Sequence, residues 1–262
     1  MKGSIKGKIG IERGERGIVT LRIDNVAHRN ALNNDMIAAL TAAFRAVAED
    51  RDCRVVVLRG AGGMFCAGRE INDIQALQGS NMDVLNAAYA RLLELNLAAY
   101  YCPKPVVSVL ERYALGAGIM LAGWSDIALA EEECLIGYPE VKIGLPPTQT
   151  TIQLIRGVHR KAAVELLLTA RNIRAPEAAR LGLITRAVPA ATLQADVDAV
   201  VEALLAASPE AVTRTKQMIW KTEDADYRSA ITIGVDVISV AAATASAKEG
   251  IAAFVEKRKP QW

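Results

Sequence analysis

The chain has 262 residues, 52% of them hydrophobic and 23% charged, a balance that excludes a disordered polypeptide. Lys and Arg total 31 against 29 Asp and Glu, so a net charge of +2 supplies no broad field for nucleic acid or an anionic membrane. Aromatic residues are only 5%, which leaves Ala, Leu, Val and Ile to build the core and argues against base-stacking platforms.

A chain of this length buries about 70% of its unfolded surface, so its core needs no disulfide or metal staple. The four cysteines, Cys53, Cys66, Cys102 and Cys134, are dispersed without a CxxC pair. They read as reduced, half-buried thiols of a cytoplasmic protein. The start, Met1-Lys2-Gly3-Ser4, leads into a charged, glycine-punctuated stretch with no apolar run of signal-peptide length. No window is long and apolar enough to suggest a membrane span. The two histidines, His28 and His159, lack a GxSxG serine elbow or clustered ligands beside them. Surface or loop positions are expected for both, and no metal site is expected.

The first segment reads as a hairpin, with Ile9–Ile11 and Ile18–Ile23 flanking a charged, glycine-containing turn. Asn33 or Asn34 can cap a helix whose apolar positions Ile37, Leu40, Phe44 and Val47 recur at helical spacing. Val55–Leu58 is a continuous apolar run, as in a strand buried on both faces. A helical stretch around Val84–Ala99 stops at Cys102-Pro103-Lys104-Pro105, and the segment from Ile71 to Asn86 reads as loop. Val106–Leu110 is a second buried strand, followed by a short apolar helix through Leu121. Ile127–Ala130 and Cys134–Gly137 are further strands. This alternation predicts an α/β core with parallel pairing. Helices are then expected near Thr192, Ser208 and Tyr227, dividing the chain into a core over Met1–Pro189 and a helical region over Ala190–Trp262. The small-residue run Ala241–Ala247 suits a well-packed helix or a subunit contact.

Two strand ends carry glycine turns that open into helical pattern, Cys66-Ala67-Gly68-Arg69 and Leu115-Gly116-Ala117-Gly118. Glycine lets a ligand oxygen approach backbone N–H groups without a Cβ clash. Two such turns predict a pair of donors converging on one oxygen, the geometry of an oxyanion hole. A dinucleotide fingerprint fails, because neither Gly116–Leu121 nor Gly60–Phe65 ends in the required glycine. Glu140 follows a strand and Pro139 in an otherwise apolar, glycine-rich segment. Such surroundings raise a carboxyl pKa toward a value useful for proton transfer, although the side chain could equally accept backbone N–H groups at a turn.

Together these motifs resemble the crotonase, or enoyl-CoA hydratase/isomerase, family over nearly the whole chain. The matching segments are Arg29-Asn30-Ala31-Leu32-Asn33, Phe65–Ile71, Tyr113–Gly118, Pro139-Glu140 with Gly144-Leu145-Pro146, Ser208–Val212 and Glu249–Arg258. The resemblance implies a spiral of ββα units with a C-terminal helical trimerisation region, assembled as trimers or paired trimers. It implies a coenzyme A thioester as substrate and no permanently bound cofactor. Arg29, Ala31, Ala67, Gly68, Ile71 and Gly116 would contact the CoA thioester. Arg69 and Ala117 would hold its oxygen through their N–H groups, and Glu140 would move the proton. The Arg69 side chain is a candidate for a CoA phosphate.

Departures from the family pattern bear on the reaction. Family hydratases commonly use two glutamates, and the first falls at position 120, here Met120. A double-bond shift needs one group to remove and return a proton, so the resemblance leans slightly toward isomerisation. A specialised hydratase, lyase or decarboxylase is the alternative, and a catalytically silent acyl-CoA-binding protein is a further one. Glu111 and Arg112 replace the residues usual before Tyr113. They are expected to form an ion pair at the strand end, with Glu111 as a substitute carboxylate the other reading. Glu131-Glu132-Glu133 reads as a solvated charge run.

Overall fold

The computed structural model describes residues 7–262, so the reading of Met1–Ser4 lies outside the described residues. Strands β1 (Lys8–Arg13) and β2 (Ile18–Asp24) form the expected antiparallel hairpin, with Ile11 opposite Leu21. Helix α1 (Asn34–Glu49) begins where Asn33 Oδ1 accepts the Met36 N–H at 2.8 Å. That bond satisfies one of the orphan donors of the first turn. Strand β3 (Val55–Gly60) follows, then α2 (Ile71–Ala76) and α3 (Met82–Tyr100). The span expected as loop from Ile71 to Asn86 is therefore largely helical. Asn81 Oδ1 accepts the Val84 N–H and starts α3, a cap that its weak apolar pattern conceals.

Strands β4 (Val106–Leu110), β5 (Tyr113–Leu115), β6 (Ile127–Glu131) and β7 (Leu135–Gly137) surround α4 (Ala117–Trp124). Beyond them come α5 (Thr148–Gly157), α6 (Arg160–Thr169), β8 (Ile173–Arg174), α7 (Ala175–Leu181) and β9 (Arg186–Val188). Helices α8 (Leu193–Ala206), α9 (Pro209–Thr222), α10 (Tyr227–Ala242) and α11 (Ala245–Val255) end the chain. Among the described residues the main sheet has six strands in the order β1-β2-β3-β4-β6-β9, parallel except for the hairpin. A second sheet of β5, β7 and β8 stands apart from it.

Period-two alternation explains how both faces of the main sheet are covered. Val56, Leu58, Val106 and Leu110 face the larger core with Leu40 and Phe44 of α1 and Leu95 of α3. Val55, Val57, Val107 and Val109 face a second cluster built with Val197, Val201 and Leu205 of α8. Helix α8 thus packs as part of the core layers. All four cysteines are fully buried rather than half-buried, because each lies at a strand or loop turned into the core. Burial pushes Cys53 up to about 11 and Cys66 and Cys134 up to about 12, so these thiols are inert at neutral pH. Among the described residues no single helix is long and apolar enough to cross a membrane.

Candidate active site

The segments singled out in the sequence lie edge to edge. Leu32 N–H donates to Gly68 O and Glu70 N–H to Leu32 O, both at 2.8 Å. On its other side the same segment joins β5, through Cys66 N–H to Tyr113 O and Leu115 N–H to Cys66 O, both 3.0 Å. Strand β5 pairs with β7, and Gly116 N–H donates to Gly137 O at 3.0 Å. Residues 29–33, 66–70, 113–117 and 135–140 therefore form one continuous surface although the sequence scatters them.

Asn30 fastens the first of these segments. It is fully buried with a left-handed backbone, and its Oδ1 accepts the Asn25 N–H at 2.8 Å. Its Nδ2 donates to Ala61 O at 2.9 Å and Met64 O at 2.7 Å. Arg29 beside it is exposed, also left-handed, and its carbonyl accepts the Ala67 N–H. Ala31 is buried, Ala67 is half-buried, and Ile71 is exposed at the start of α2. Asn30 appears in the sequence motif without a role. Its signal is that Asn supplies both donor and acceptor and tolerates positive φ.

The two glycine turns lie against each other. Gly68 has φ +109°, and a Cβ there would stand 3.1 Å from Leu115 O and 3.7 Å from Ala117 N. Gly116 has φ +49°, and a Cβ there would stand 3.2 Å from Glu140 Oε1 and 3.9 Å from Gly68 Cα. The glycines make room for a close approach of two backbones and one carboxyl group. Among the described residues neither the Arg69 nor the Ala117 N–H donates to a protein acceptor. Ala117 N–H also lies in the first turn of α4, where donors have no intrahelical partner.

Glu140 opens a short helical turn over Glu140–Ile143, held by Leu145 N–H donating to Glu140 O at 3.1 Å. Its Oε2 is buried without a hydrogen-bond partner, and burial holds its carboxyl above the ordinary value of 4.5. The backbone N–H of Glu140 itself, at the start of the turn, also acts on the carboxyl and lowers its pKa by less than burial raises it. Tyr138, two residues earlier, is almost fully buried, and that burial, with a smaller contribution from the nearby Glu140 charge, pushes its hydroxyl up. Met120 is 3% exposed and belongs to the main hydrophobic core, so it brings no polar group to this place.

Other expectations change. Glu111 pairs with Arg59 across β3 and β4 at 3.3 Å, not with Arg112, because adjacent residues at a strand end point apart. Arg112 N–H instead donates to Glu131 Oε1, so Glu131 is engaged while Glu132 and Glu133 are exposed. Both histidines are exposed, as expected: His28 Nδ1 lies 2.6 Å from the buried Glu70 Oε2, and His159 Nδ1 accepts the Lys161 N–H at the start of α6. The Arg69 side chain does not reach outward. It folds between Asn34, which the sequence offered only as a helix cap, and Tyr89, which no sequence motif marked.

A family profile described as enoyl-CoA hydratase/isomerase matches residues 13–262. The chain belongs to this family. It is 30% identical to a probable mitochondrial enoyl-CoA hydratase of Dictyostelium discoideum over 96% of this chain and 88% of that protein. It is 29% identical to the 2,3-dehydroadipyl-CoA hydratase of Escherichia coli, over 96% of this chain and 97% of that protein. The crystal structure of an enoyl-CoA hydratase from Mycobacterium smegmatis superposes with a TM-score of 0.92 at 32% identity. It covers 97% of this chain and 98% of that one. The fold is therefore that of the crotonases, and the chain is an acyl-CoA enzyme of the enoyl-CoA hydratase/isomerase type.

Proposed function

We propose that this crotonase polarises an acyl-CoA thioester between the Arg69 and Ala117 N–H groups and moves a proton at the acyl chain with Glu140. The observation that carries the reading is the placement of the Glu140 carboxyl against Gly116, next to two uncommitted amides. Donors aimed at a developing enolate oxygen stabilise it by about 3–4 kcal/mol each in a site closed to water. A shielded carboxyl with a raised pKa and one free oxygen can take a proton from one carbon and return it to another. Arg29, Ala31, Ala67, Gly68, Ile71 and Gly116 are proposed to contact the CoA thioester, and no resident cofactor or metal is required by this chemistry.

One carboxylate favours double-bond isomerisation. Met120 offers no second acid, and the Arg59 partnership of Glu111 removes the substitute. Hydration is the second reading, supported by the hydratase names of the relatives. Incubation with 2-enoyl-CoA and 3-enoyl-CoA in deuterated water tests the proposal. Deuterium at the α or γ carbon without hydration is expected, 3-hydroxyacyl-CoA would establish the second reading, and no exchange with either thioester would overturn both.

The helical region expected over 190–262 is proposed to mediate self-association. With α8 held in the core, the assembling part begins at α9. Ile231, Val235 and Ile238 recur on α10 at helical spacing and are each more than half exposed, which supports self-association; the trimer or paired trimers are what the family resemblance implies.

A further inference from the structure

Arg69 carries a charge that the chain leaves unanswered. Its Nη2 donates to Asn34 Oδ1 at 3.1 Å, and its guanidinium carbon lies 5.4 Å from the centre of the Tyr89 ring. Nε and Nη1 are closed to solvent and meet no acceptor. Among the described residues no carboxylate forms an ion pair with it. Asp73 acts on it only at longer range, because its Oδ2 accepts the Asn34 N–H at 2.6 Å, and Arg91 adds a second positive charge. Burial accordingly lowers the Arg69 pKa. Two unanswered donors on a shielded cation are costly to keep, and an apolar side chain would pack there without that cost.

The location narrows what the missing acceptor can be. If the Arg69 amide holds the thioester oxygen, as proposed above, its guanidinium stands no more than one arginine side chain away from the thioester. The phosphates of coenzyme A lie at the far end of the pantetheine arm and fall outside that reach. The cover over the guanidinium is lightly held. The residues of α3 that are buried begin at Leu92, whereas Met82, Val84 and Tyr89 are exposed. Tyr89 therefore lies outside the packed core, and displacing it would break no core contact.

We propose that the Arg69 guanidinium, framed by Asn34 and Tyr89, is a subsite for a carboxylate carried by the acyl chain, so that the preferred substrate is the thioester of a dicarboxylic acid. This rests on the reading of the Arg69 amide as an oxyanion donor. A planar fork with free N–H groups suits a carboxylate.

The test compares two unsaturated acyl-CoA thioesters of equal chain length, one ending in a carboxylate and one in a methyl group. The ratio of their kcat/KM values is read, so any loss common to both cancels. The natural chain is expected to favour the carboxylate by about tenfold or more, the worth of a charge-assisted hydrogen bond. Arg69→Met should abolish or reverse that ratio, and Arg69→Lys should keep part of it. Asn34→Asp, which gives the guanidinium an internal carboxylate, should lower the ratio without altering Arg69 itself. A ratio near one in the natural chain, or one unmoved by Arg69→Met and Asn34→Asp, overturns the subsite. Calorimetric binding of the corresponding saturated thioesters separates this proposal from the reaction. Preferential binding of the carboxylate without turnover would uphold the subsite and remove the catalytic reading, whereas equal binding of both overturns the subsite.

Discussion

Glu140 Oε1 fills the space that a side chain on Gly116 would need, since a Cβ there would stand 3.2 Å from that oxygen. Gly116 also has φ +49° and ψ −116°, a conformation that a side chain strains. Gly116→Ala is therefore expected to push the carboxyl aside and shift the Ala117 amide together. A displacement of about 1 Å costs about 100-fold in rate. Steady-state kinetics with an enoyl-CoA should show that loss in kcat, and turnover within a fewfold of the natural chain would contradict the shared geometry.

Burial of Glu140 makes a linked prediction about pH. Its folded pKa is raised above the ordinary 4.5, so the native state binds more protons than the unfolded chain between those two values. Glu140 therefore subtracts stability as pH rises through the ordinary carboxyl range toward neutrality. Glu140→Gln removes the titration, and its unfolding midpoint in urea should exceed that of the natural chain at pH 7. The difference should shrink as the solution is acidified below the ordinary glutamate value. In the natural enzyme the acid limb of kcat/KM should fall at a pH above 4.5, and the variant should lose activity at every pH. A Glu140→Gln chain with equal stability at pH 7 and full turnover would refute both parts.

Asn30 ties three backbone groups together through one side chain, Asn25 N–H, Ala61 O and Met64 O. Asn30→Ala leaves these groups without partners in a buried place and should destabilise the fold by about 2–4 kcal/mol. Because the 29–33 segment lies against residues 66–70, the same substitution should weaken binding of a CoA thioester. Denaturant unfolding and calorimetry measure the two effects. Loss of stability with unchanged thioester affinity would detach Asn30 from the site.

What the sequence made legible follows the range of the forces involved. Asn33 and the apolar spacing after it announce α1 because a cap and an amphipathic face are local properties. The runs Val55–Leu58 and Val106–Leu110 announce central strands because both faces are buried. Strands β5, β8 and β9 have two or three residues each, too few for a period to register. They are held by neighbours distant in the chain. At the site, glycine turns and an isolated glutamate are visible because their conformational and solvation needs are unusual. The direction of the Arg69 side chain and the pairing of Glu111 with Arg59 depend on tertiary neighbours, and no local pattern encodes them.

The join between core and helical tail offers the last test. Lys216 of α9 is buried with its Nζ 2.7 Å from Asp126 Oδ2 and 2.9 Å from Lys104 O, and it lies over the Trp220 ring at 5.3 Å. The same Asp126 oxygen accepts the Val106 N–H at 2.7 Å, at the start of β4. One carboxylate thus fastens both the sheet and the tail. Lys216→Met leaves the Asp126 charge partly shielded and unpaired, whereas the double variant with Asp126→Asn removes both charges. Breaking a buried pair costs about 3–5 kcal/mol, and the 28% exposure of the Asp126 side chain lets water reduce this to about 1–3 kcal/mol. Hydrogen exchange should quicken in α9 of the single variant before it does in β3 or β4, and the double variant should recover part of the protection. Uniform loss across sheet and tail, or no recovery in the double variant, would show that the pair does not act as the clasp between them.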